Sequence, residues 1–201
     1  ILGDGLMHRN KQQHHQERKE EEKQQKIMHR RDIFATPIWV FEVDMDKIVV
    51  PYQPKDYKPT FESGLQTTYT RQYVPQETYA YLRSVIAPAL NSMEDPWKTM
   101  KFVDVWRNRY EPHDYQATHL HPKVQWSFII YEDVESKTIF MHPAHKLIQN
   151  QAHAIFTKDH EYIFEPKIPP SHMILFPSWI EHQVRPGNEG HTIAGNIELK
   201  E

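Results

Sequence analysis

The sequence predicts a mainly β fold of the α+β class, with helices confined to the first half of the chain. Three observations support this prediction. Short apolar segments with alternating patterns follow residue 101, turn residues separate them, and helical spacing of apolar residues occurs only before them. Roughly eight short strands joined by turns, with helices packed on one face, are typical of a jelly-roll or a related barrel.

Composition limits the kind of protein and the kind of site. A chain of 201 residues is long enough for one domain with a sizeable core. It contains no cysteine, so any metal must be held by His, Asp or Glu, and a reducing compartment such as the cytoplasm is expected. A formal net charge of -3 argues against nucleic acid as a partner. Since no apolar run approaches roughly 20 residues, we expect no membrane span.

The first 31 residues differ from the rest. Residues 7–31 contain no Gly or Pro and consist almost wholly of Gln, Glu, Lys, Arg and His, which favours a solvated, basic helix. We interpret residues 1–31 as a polar helical extension and residues 32–201 as the β domain. A helix that is polar on every side could pack on its own domain, or it could tether the chain to a homo-oligomer or a larger assembly.

The β domain begins with a strand and a helix. Apolar, aromatic and β-branched residues crowd positions 32–43, which predicts a strand entering the core. Residues 44–70 contain three prolines and read as irregular surface chain. Residues 75–93 have helical spacing, and Pro88 is expected to kink or divide that helix. The remaining predicted strands are 102–110, 123–131, 138–141, 154–157, 161–164, 172–176 and 193–199.

Two stretches carry candidate metal ligands. His119 and His121 are two positions apart, so on an extended strand both imidazoles point to the same side. About sixty positions later, His182 lies in an apolar row with Ile180 and Val184, where an imidazole needs either a backbone hydrogen bond or a metal. A third histidine that arrives from a distant strand would close a facial metal site.

Several segments resemble one known family. They are Trp106-Arg107-Asn108, His119-Leu120-His121-Pro122, residues 127–131, residues 176–184 and residues 193–197, and the most specific is the Phe-Pro-Ser-Trp-x-x-His block that ends at His182. These segments resemble the 2-oxoglutarate- and Fe(II)-dependent oxygenases of marine bacteria and of tailed phages of cyanobacteria. The resemblance covers residues 33–199. It implies a double-stranded β-helix of the jelly-roll or cupin type, with Fe(II) and 2-oxoglutarate as cofactors.

The resemblance also implies the metal ligands. His119 and His182 would be imidazole ligands, and His121 stands where many oxygenases have Asp or Glu, so the ligand set would be three histidines instead of two histidines and a carboxylate. Asp114 and Glu111 are alternative carboxylate ligands. They are less favoured, because a loop carboxylate five or more residues from His119 has no fixed orientation.

For the keto acid, the resemblance implies a basic residue just before the last strand, where a guanidinium would pair with the far carboxylate of 2-oxoglutarate. This chain has His191 at that position, and Arg185 or Arg107 could also reach the pocket. The polar residues at strand positions where the family lines its pocket are Asn108, Ser127, Tyr131 and Asn196. Each of these four could instead satisfy a buried backbone group.

The predicted function is therefore that of a non-haem Fe(II)- and 2-oxoglutarate-dependent oxygenase, which hydroxylates a small-molecule or protein substrate in the cytoplasm. The alternative is a non-catalytic barrel of the same fold that acts as a structural or assembly protein, for instance in a phage particle. His191 in the place of the expected arginine motivates this alternative, since a fold alone does not establish an activity. A cupin-like metal protein without 2-oxoglutarate stands between the two.

Overall fold

The structure is a computed structural model, and it describes residues 35–60, 64–69, 73–93, 96–151 and 162–201. Residues 37–201 form one compact unit, which is the β domain discussed below. The helix predicted within residues 1–31 and the strand predicted at 154–157 lie outside the described residues. Among the described helices, none is long and apolar enough to cross a bilayer.

The described part of the chain contains eleven strands in two antiparallel sheets and two α-helices. The larger sheet has the order β1-β9-β6-β11-β4-β3-β2, and the smaller has the order β5-β10-β7-β8. The strands are β1 Trp39–Glu42, β2 Lys58–Pro59, β3 Gln66–Thr67, β4 Thr99–Tyr110, β5 Gln116–His119, β6 Trp126–Tyr131, β7 Thr138–Met141, β8 Ile163–Phe164, β9 His172–Pro177, β10 His182–Val184 and β11 Gly190–Lys200; the helices are α1 Gln76–Asn91 and α2 His145–Gln151. The predicted mainly β, jelly-roll-like fold is confirmed.

Helix α1 covers one face of the larger sheet. Leu82, Ile86 and Leu90 recur at helical spacing, are fully buried, and belong to the same core as Phe128 of β6. Pro88 does not divide the helix, which continues to Asn91. The expectation of a division was wrong because Pro88 lies in the last turn, where only three helical residues follow it and no second helical segment remains to be separated.

The other face of the larger sheet packs against the smaller sheet. Ile129, Ile174 and Phe176 of the larger sheet share a core with Phe140 of β7, and the rings of Phe140 and Phe176 lie 4.9 Å apart. At one end of this inter-sheet core, polar side chains replace apolar ones. The candidate site lies there.

Strand β11 lies between β4 and β6 and separates the two cores. Ile193 and Ile197 belong to the core beneath α1, whereas Ala194 belongs to the inter-sheet core. Between them, a Cβ added to Gly195 would lie 2.4 Å from the Cζ atom of Phe128. The small residue in the Ile-Ala-Gly-Asn segment is therefore required by the close approach of that ring.

Five strand predictions differ from the structure at their starts: those at 102–110 and 193–199 begin earlier, at Thr99 and Gly190, and that at 161–164 begins at Ile163 among the described residues. The strand predicted at 32–43 begins only at Trp39 among the described residues. The strand predicted at 123–131 begins at Trp126, because Lys123 has a φ of 69° and lies in a turn. A left-handed backbone conformation cannot continue a strand.

Candidate metal centre

Three histidines meet at the edge of the inter-sheet core. His119 ends β5 and His182 begins β10, and the two residues are direct partners in the antiparallel pairing of these strands. His121 lies just beyond the end of β5, and its backbone N–H donates to Ser178 O at 3.0 Å. One ring nitrogen of each histidine lies within 4.8 Å of the other two. The structure thus brings together the three histidines that the sequence singled out, although His121 is outside the strand.

The ring nitrogens are arranged as a metal requires. The Nε2 atoms of His121 and His182 are 3.3 Å apart. Two imidazoles on one ion, each at about 2.1 Å and at angles between about 90° and 110°, have their nitrogens about 3.0–3.4 Å apart. The cluster can hold a single metal ion.

Backbone carbonyls fix the tautomers of two of these rings. The Nδ1–H of His119 donates to Ala117 O at 2.8 Å, and the Nδ1–H of His182 donates to Ile180 O at 3.0 Å. Each Nε2 atom therefore carries a lone pair that is directed away from these carbonyls. Hydrogen bonds of this kind orient metal-binding histidines and raise their basicity as ligands.

Burial keeps the three imidazoles neutral. It lowers the pKa of His119, while the hydrogen bond to Ala117 opposes the change. Burial, and to a smaller extent the nearby His119, lower the pKa of His121 to about 4. The pKa of His182 is held well below its usual value, again mainly by burial. Neutral imidazole is the form that binds a metal.

Aromatic rings hold the histidines in place. The ring of Trp106 stacks on His121 at 5.8 Å and 29°. Phe140 stacks on His182 at 5.8 Å, and Phe176 meets it edge-on at 4.9 Å. These contacts restrict the rotamers of both histidines and keep water away from one side of the cluster.

No carboxylate belongs to the cluster among the described residues. Asp114 is buried, and its Oδ2 atom accepts a hydrogen bond from the backbone N–H of Glu111 at 2.8 Å. Asp114 therefore closes the turn before β5, and the Glu111 side chain is exposed. The third member of the cluster is His121.

A small cavity lies behind the histidines, between the two sheets. Its volume is about 20 Å³, and Asn108, Tyr131, Thr138 and Thr192 are among its lining residues. The Asn108 amide donates to Thr192 Oγ1 at 3.3 Å, and the Tyr131 hydroxyl donates to Thr138 Oγ1 at 2.9 Å. A cavity of this size holds about one water molecule. The predicted pocket residues Asn108 and Tyr131 do line it.

The side chains of Ser127 and Asn196 form a hydrogen bond with each other. Ser127 Oγ donates to Asn196 Oδ1 at 2.9 Å and lies 2.9 Å from Ser178 Oγ. All three side chains are buried. Asn196 also lines a second, open cavity, so Ser127 contributes to that cavity only by holding Asn196.

His191 lies on the other face of β11. Its backbone N–H donates to Asp133 Oδ1, and its Nδ1 atom lies 3.0 Å from Asp133 Oδ2. Thr192, the next residue, lines the small cavity. Because successive side chains on a strand alternate between faces, His191 is directed away from the three histidines. The expectation that it reaches the pocket does not match the structure.

The two arginines are also engaged elsewhere. Arg107 forms a two-point pair with Glu132, in which its Nε donates to Oε2 at 2.6 Å, and its guanidinium lies 4.5 Å from the ring of Tyr52. Arg185 pairs with Glu165 at 2.9 Å on the surface. Neither arginine lines the small cavity or the open one.

The open cavity, called here the groove, begins at the histidines. It has a volume of about 560 Å³, and its lining residues include His119, His121, Trp106, Asn108, Asn196, Tyr69, Asp104 and Lys123. Tyr69 and Trp106 meet edge-on at 5.0 Å. A register shift places Asp104 opposite Asn196 and Phe102 opposite Ile197, which leaves Val103 as the extra residue of a β-bulge.

The sequence did not predict the roles of Asp104 and Lys123. The bulge lets both Val103 and Asp104 line the groove, and nothing in the alternating pattern of residues 102–110 indicates a bulge. The alternating pattern of residues 123–131 predicts that Lys123 belongs to a strand. The one signal for a turn there is Pro122, since a proline often accompanies a turn after a strand.

Part of the chain matches a known protein family. Residues 104–192, fewer than half of the chain, match a family described as "Putative 2OG-Fe(II) oxygenase". This segment includes the three histidines and all the residues that line the small cavity except Ala194. Together with the histidine cluster, the match indicates an oxygenase that uses Fe(II) and 2-oxoglutarate. Among the curated proteins, none matches this chain.

Several solved structures are similar in fold. A 2OG-Fe(II) oxygenase family oxidoreductase from Burkholderia pseudomallei has a TM-score of 0.49 and 12% identity, covering 71% of this chain and 72% of that one. A Pseudomonas putida prolyl-4-hydroxylase has a TM-score of 0.48 and 14% identity, and the match covers 72% of this chain and 78% of that one. HygX from Streptomyces hygroscopicus, with nickel and 2-oxoglutarate bound, has a TM-score of 0.48 and 11% identity. The match covers 81% of this chain and 83% of that one.

Proposed function

We propose that this chain binds Fe(II) through the Nε2 atoms of His119, His121 and His182 and hydroxylates a substrate that lies in the groove. The observation that carries the proposal is the set of three neutral imidazoles, that of His182 buried and those of His119 and His121 half-buried, whose ring nitrogens lie within 4.8 Å of one another. Bound iron, with 2-oxoglutarate and dioxygen, would supply the oxidation of a C–H bond. A ligand set of three imidazoles carries one negative charge less than two histidines and a carboxylate.

The protein's own residues would orient the reactants. The carbonyls of Ala117 and Ile180 hold two imidazoles in the metal-binding tautomer. Trp106 covers one side of His121 and also forms part of the groove wall. Because Trp106 contacts both His121 and the groove, a substrate in the groove would lie next to the metal ligands, and the indole ring would shield it partly from water.

The volumes of the two cavities favour the groove as the place where the keto acid binds. 2-Oxoglutarate is far larger than one water molecule, so the small cavity of about 20 Å³ does not admit it, whereas the groove of about 560 Å³ does. We propose Asn108 and Asn196, which line the groove, as polar contacts of the keto acid. Ser127 would position Asn196, and Tyr131 would hold the wall of the small cavity.

His191 and Arg185 are not part of this proposal. Each is paired with a carboxylate, Asp133 and Glu165 respectively, and neither lines a cavity at the histidines. We therefore expect their replacement to leave binding of the keto acid unchanged.

The groove has the volume of a small-molecule site, which is typically about 300–1,000 Å³. It is also open along one side, so a side chain of a protein substrate could enter it. We propose a substrate of one of these two kinds. Assembly through residues 1–31 stays a prediction.

The experiment has two parts. The purified full chain is loaded with Fe(II) without oxygen, its iron content is measured, and formation of succinate from 2-oxoglutarate is followed after oxygen is added. We expect one iron per chain and keto-acid turnover. His182→Ala should lose both, and the control His172→Ala, which alters a histidine outside the cluster, should keep both. Bound iron without any turnover would overturn the oxygenase.

A non-catalytic barrel of the same fold is the second candidate. It is favoured by one observation: among the described residues no Lys or Arg lines the small cavity, which is too small for the keto acid. Such a protein would form no succinate under any condition. Absence of metal from the wild-type chain after loading would support this candidate.

A further inference from the structure

We propose that the groove takes a substrate that carries a positively charged ammonium group, and that the Asp104 carboxylate selects this charge. The inference rests on the proposed function and deepens it, because it names the class of substrate for the same groove. Three features carry it: a bulge that brings Asp104 to the groove, a carboxylate that has no partner, and aromatic rings that lie beside it.

The first step concerns the backbone of β4. Phe102 packs against the core beneath α1, and Val105 belongs to that core. Residues on one face of a regular strand are an even number of positions apart, so the odd spacing between Phe102 and Val105 requires the bulge. As a result, Val103 and Asp104 both line the groove. Bulges are frequent next to active sites, where they redirect side chains, and here they bring a carboxylate to the groove.

The second step concerns charge. Asp104 is half-buried, and among the described residues its carboxylate forms no ion pair and accepts no hydrogen bond. The other charged lining residue that the structure describes is Lys123, which is exposed. Solvent and salt screen an exposed charge more than a half-buried one, so the carboxylate has the larger influence on a ligand in the groove. A partly desolvated carboxylate without a partner is stabilised by a cation.

The third step concerns the aromatic rings. Tyr69 and Trp106 line the groove and meet edge-on at 5.0 Å, and Tyr69 is 48% exposed. Burial, and to a smaller extent Asp104, raise the pKa of Tyr69, so the carboxylate and the phenol lie within electrostatic range of each other. The faces of aromatic rings attract cations. An ammonium group near Asp104 would therefore gain from the carboxylate and from an aromatic ring.

The fourth step concerns reach. Trp106 lies beside Tyr69 and stacks on His121 at 5.8 Å. A substrate that is held at Asp104 by its ammonium group could therefore extend its carbon atoms along Trp106 toward the metal ligands. Asn108 and Asn196, which we propose as contacts of the keto acid, carry no charge. The selection of a cation therefore depends on Asp104.

The test uses two probes that differ in charge. Choline and 3,3-dimethylbutan-1-ol have nearly the same shape, but a neutral carbon replaces the charged nitrogen in the second. Their dissociation constants for the zinc-loaded full chain are measured by ligand-observed NMR. For a partly exposed ion pair beside an aromatic ring, we expect the wild type to prefer choline by about fivefold, and the preference should weaken with added salt. In Asp104→Asn, which keeps the size of the side chain, the preference should disappear while the affinity for the neutral probe stays the same.

Two controls separate this effect from net charge and from folding. Glu135→Gln removes the same charge from an exposed residue outside the groove and should keep the preference. Asp104→Asn should melt close to the wild-type temperature, because its carboxylate has no partner to lose among the described residues. A wild type without the preference, or a preference that survives in Asp104→Asn, would overturn the inference alone. A wild type that prefers choline but forms no succinate from 2-oxoglutarate with iron would overturn the proposed function, and with it the assignment of the cation as a substrate.

Discussion

His119 and His182 face each other across the pairing of β5 with β10, and their ring centroids are 4.2 Å apart. Two neutral imidazoles so close together gain little from one another without an ion between them. A bound ion would satisfy both lone pairs and join the two strands.

Removal of the metal should therefore lower stability. A ligand that binds only the folded chain stabilises it by about 2.7 kcal/mol at 100 times its Kd, which corresponds to roughly 5–10 °C for a chain of this length. We expect this difference in melting temperature between zinc-loaded and chelator-treated protein. In His121→Ala the difference should shrink strongly. An equal shift in that variant would place the stabilising ion elsewhere.

Replacement of His121 by aspartate should keep the centre and change its selectivity. His121→Asp would create the arrangement of two histidines and one carboxylate that is common in non-haem iron proteins. The added negative charge should favour Fe(II) over Zn²⁺ relative to the wild type. Competition between the two ions, read by metal analysis, measures this change. An unaltered ratio would show that His121 is not a ligand.

The pair of Arg107 and Glu132 should matter for stability and not for the keto acid. Both side chains are mostly buried, at 16% and 13% exposure, so Arg107→Met would leave a carboxylate without its partner. Loss of one member of a buried pair costs about 3–5 kcal/mol, and the partial exposure here places the expected loss near the lower end. Urea unfolding gives the stability, and calorimetry should give an unchanged affinity for 2-oxoglutarate. A large loss of that affinity in a folded variant would contradict the placement of Arg107 outside the site.

Substitutions at Gly195 and Phe128 should be coupled in their effects on the free energy of unfolding. Alanine at position 195 would bring its Cβ to 2.4 Å from the Phe128 ring, and overpacking of this kind costs about 1–3 kcal/mol. In Phe128→Leu, which shortens the side chain, the added cost of Gly195→Ala should be smaller. A double-mutant cycle of unfolding free energies measures the coupling. Additive costs would mean that the ring is not the obstacle.

Tyr131 should make the fold sensitive to alkali. Burial raises the pKa of Tyr131 from 10.0 to about 12, although hydrogen bonds with Ser136 and Thr138 oppose the change. Between these values the unfolded chain releases the phenolic proton and the folded chain keeps it, so the free energy of unfolding falls as pH rises. The loss should reach about 2.3 kcal/mol at pH 12. Tyr131→Phe should remove this part of the slope from pH 10 to 12, as followed by urea unfolding. An identical slope in both proteins would contradict the raised pKa.

Much of the metal site could be predicted from the sequence, because strand periodicity determines the face of each side chain. The pair His119 and His121 and the apolar row around His182 both point to the cluster. The face of His191 was harder to predict: a shift of one residue moves a side chain to the opposite side of a sheet, and its partner Asp133 comes from a separate loop.

The groove could not be predicted from the sequence. It depends on the bulge at Val103 and on the left-handed conformation of Lys123, and both are imposed by tertiary contacts. An alternating pattern looks the same with or without a bulge. A lysine by itself gives no sign of a positive φ, whereas glycine or asparagine would.

The pairing of His119 with His182 also bears on the order in which the protein matures. β10 has three residues and pairs with β5 and β7 on its two sides, so the ligand set joins segments that are some sixty positions apart in the chain. Contacts between such distant segments form late in folding, because a long loop must close first. The ion would therefore enter a chain that has already folded, and it would stabilise that fold after it forms instead of directing its formation.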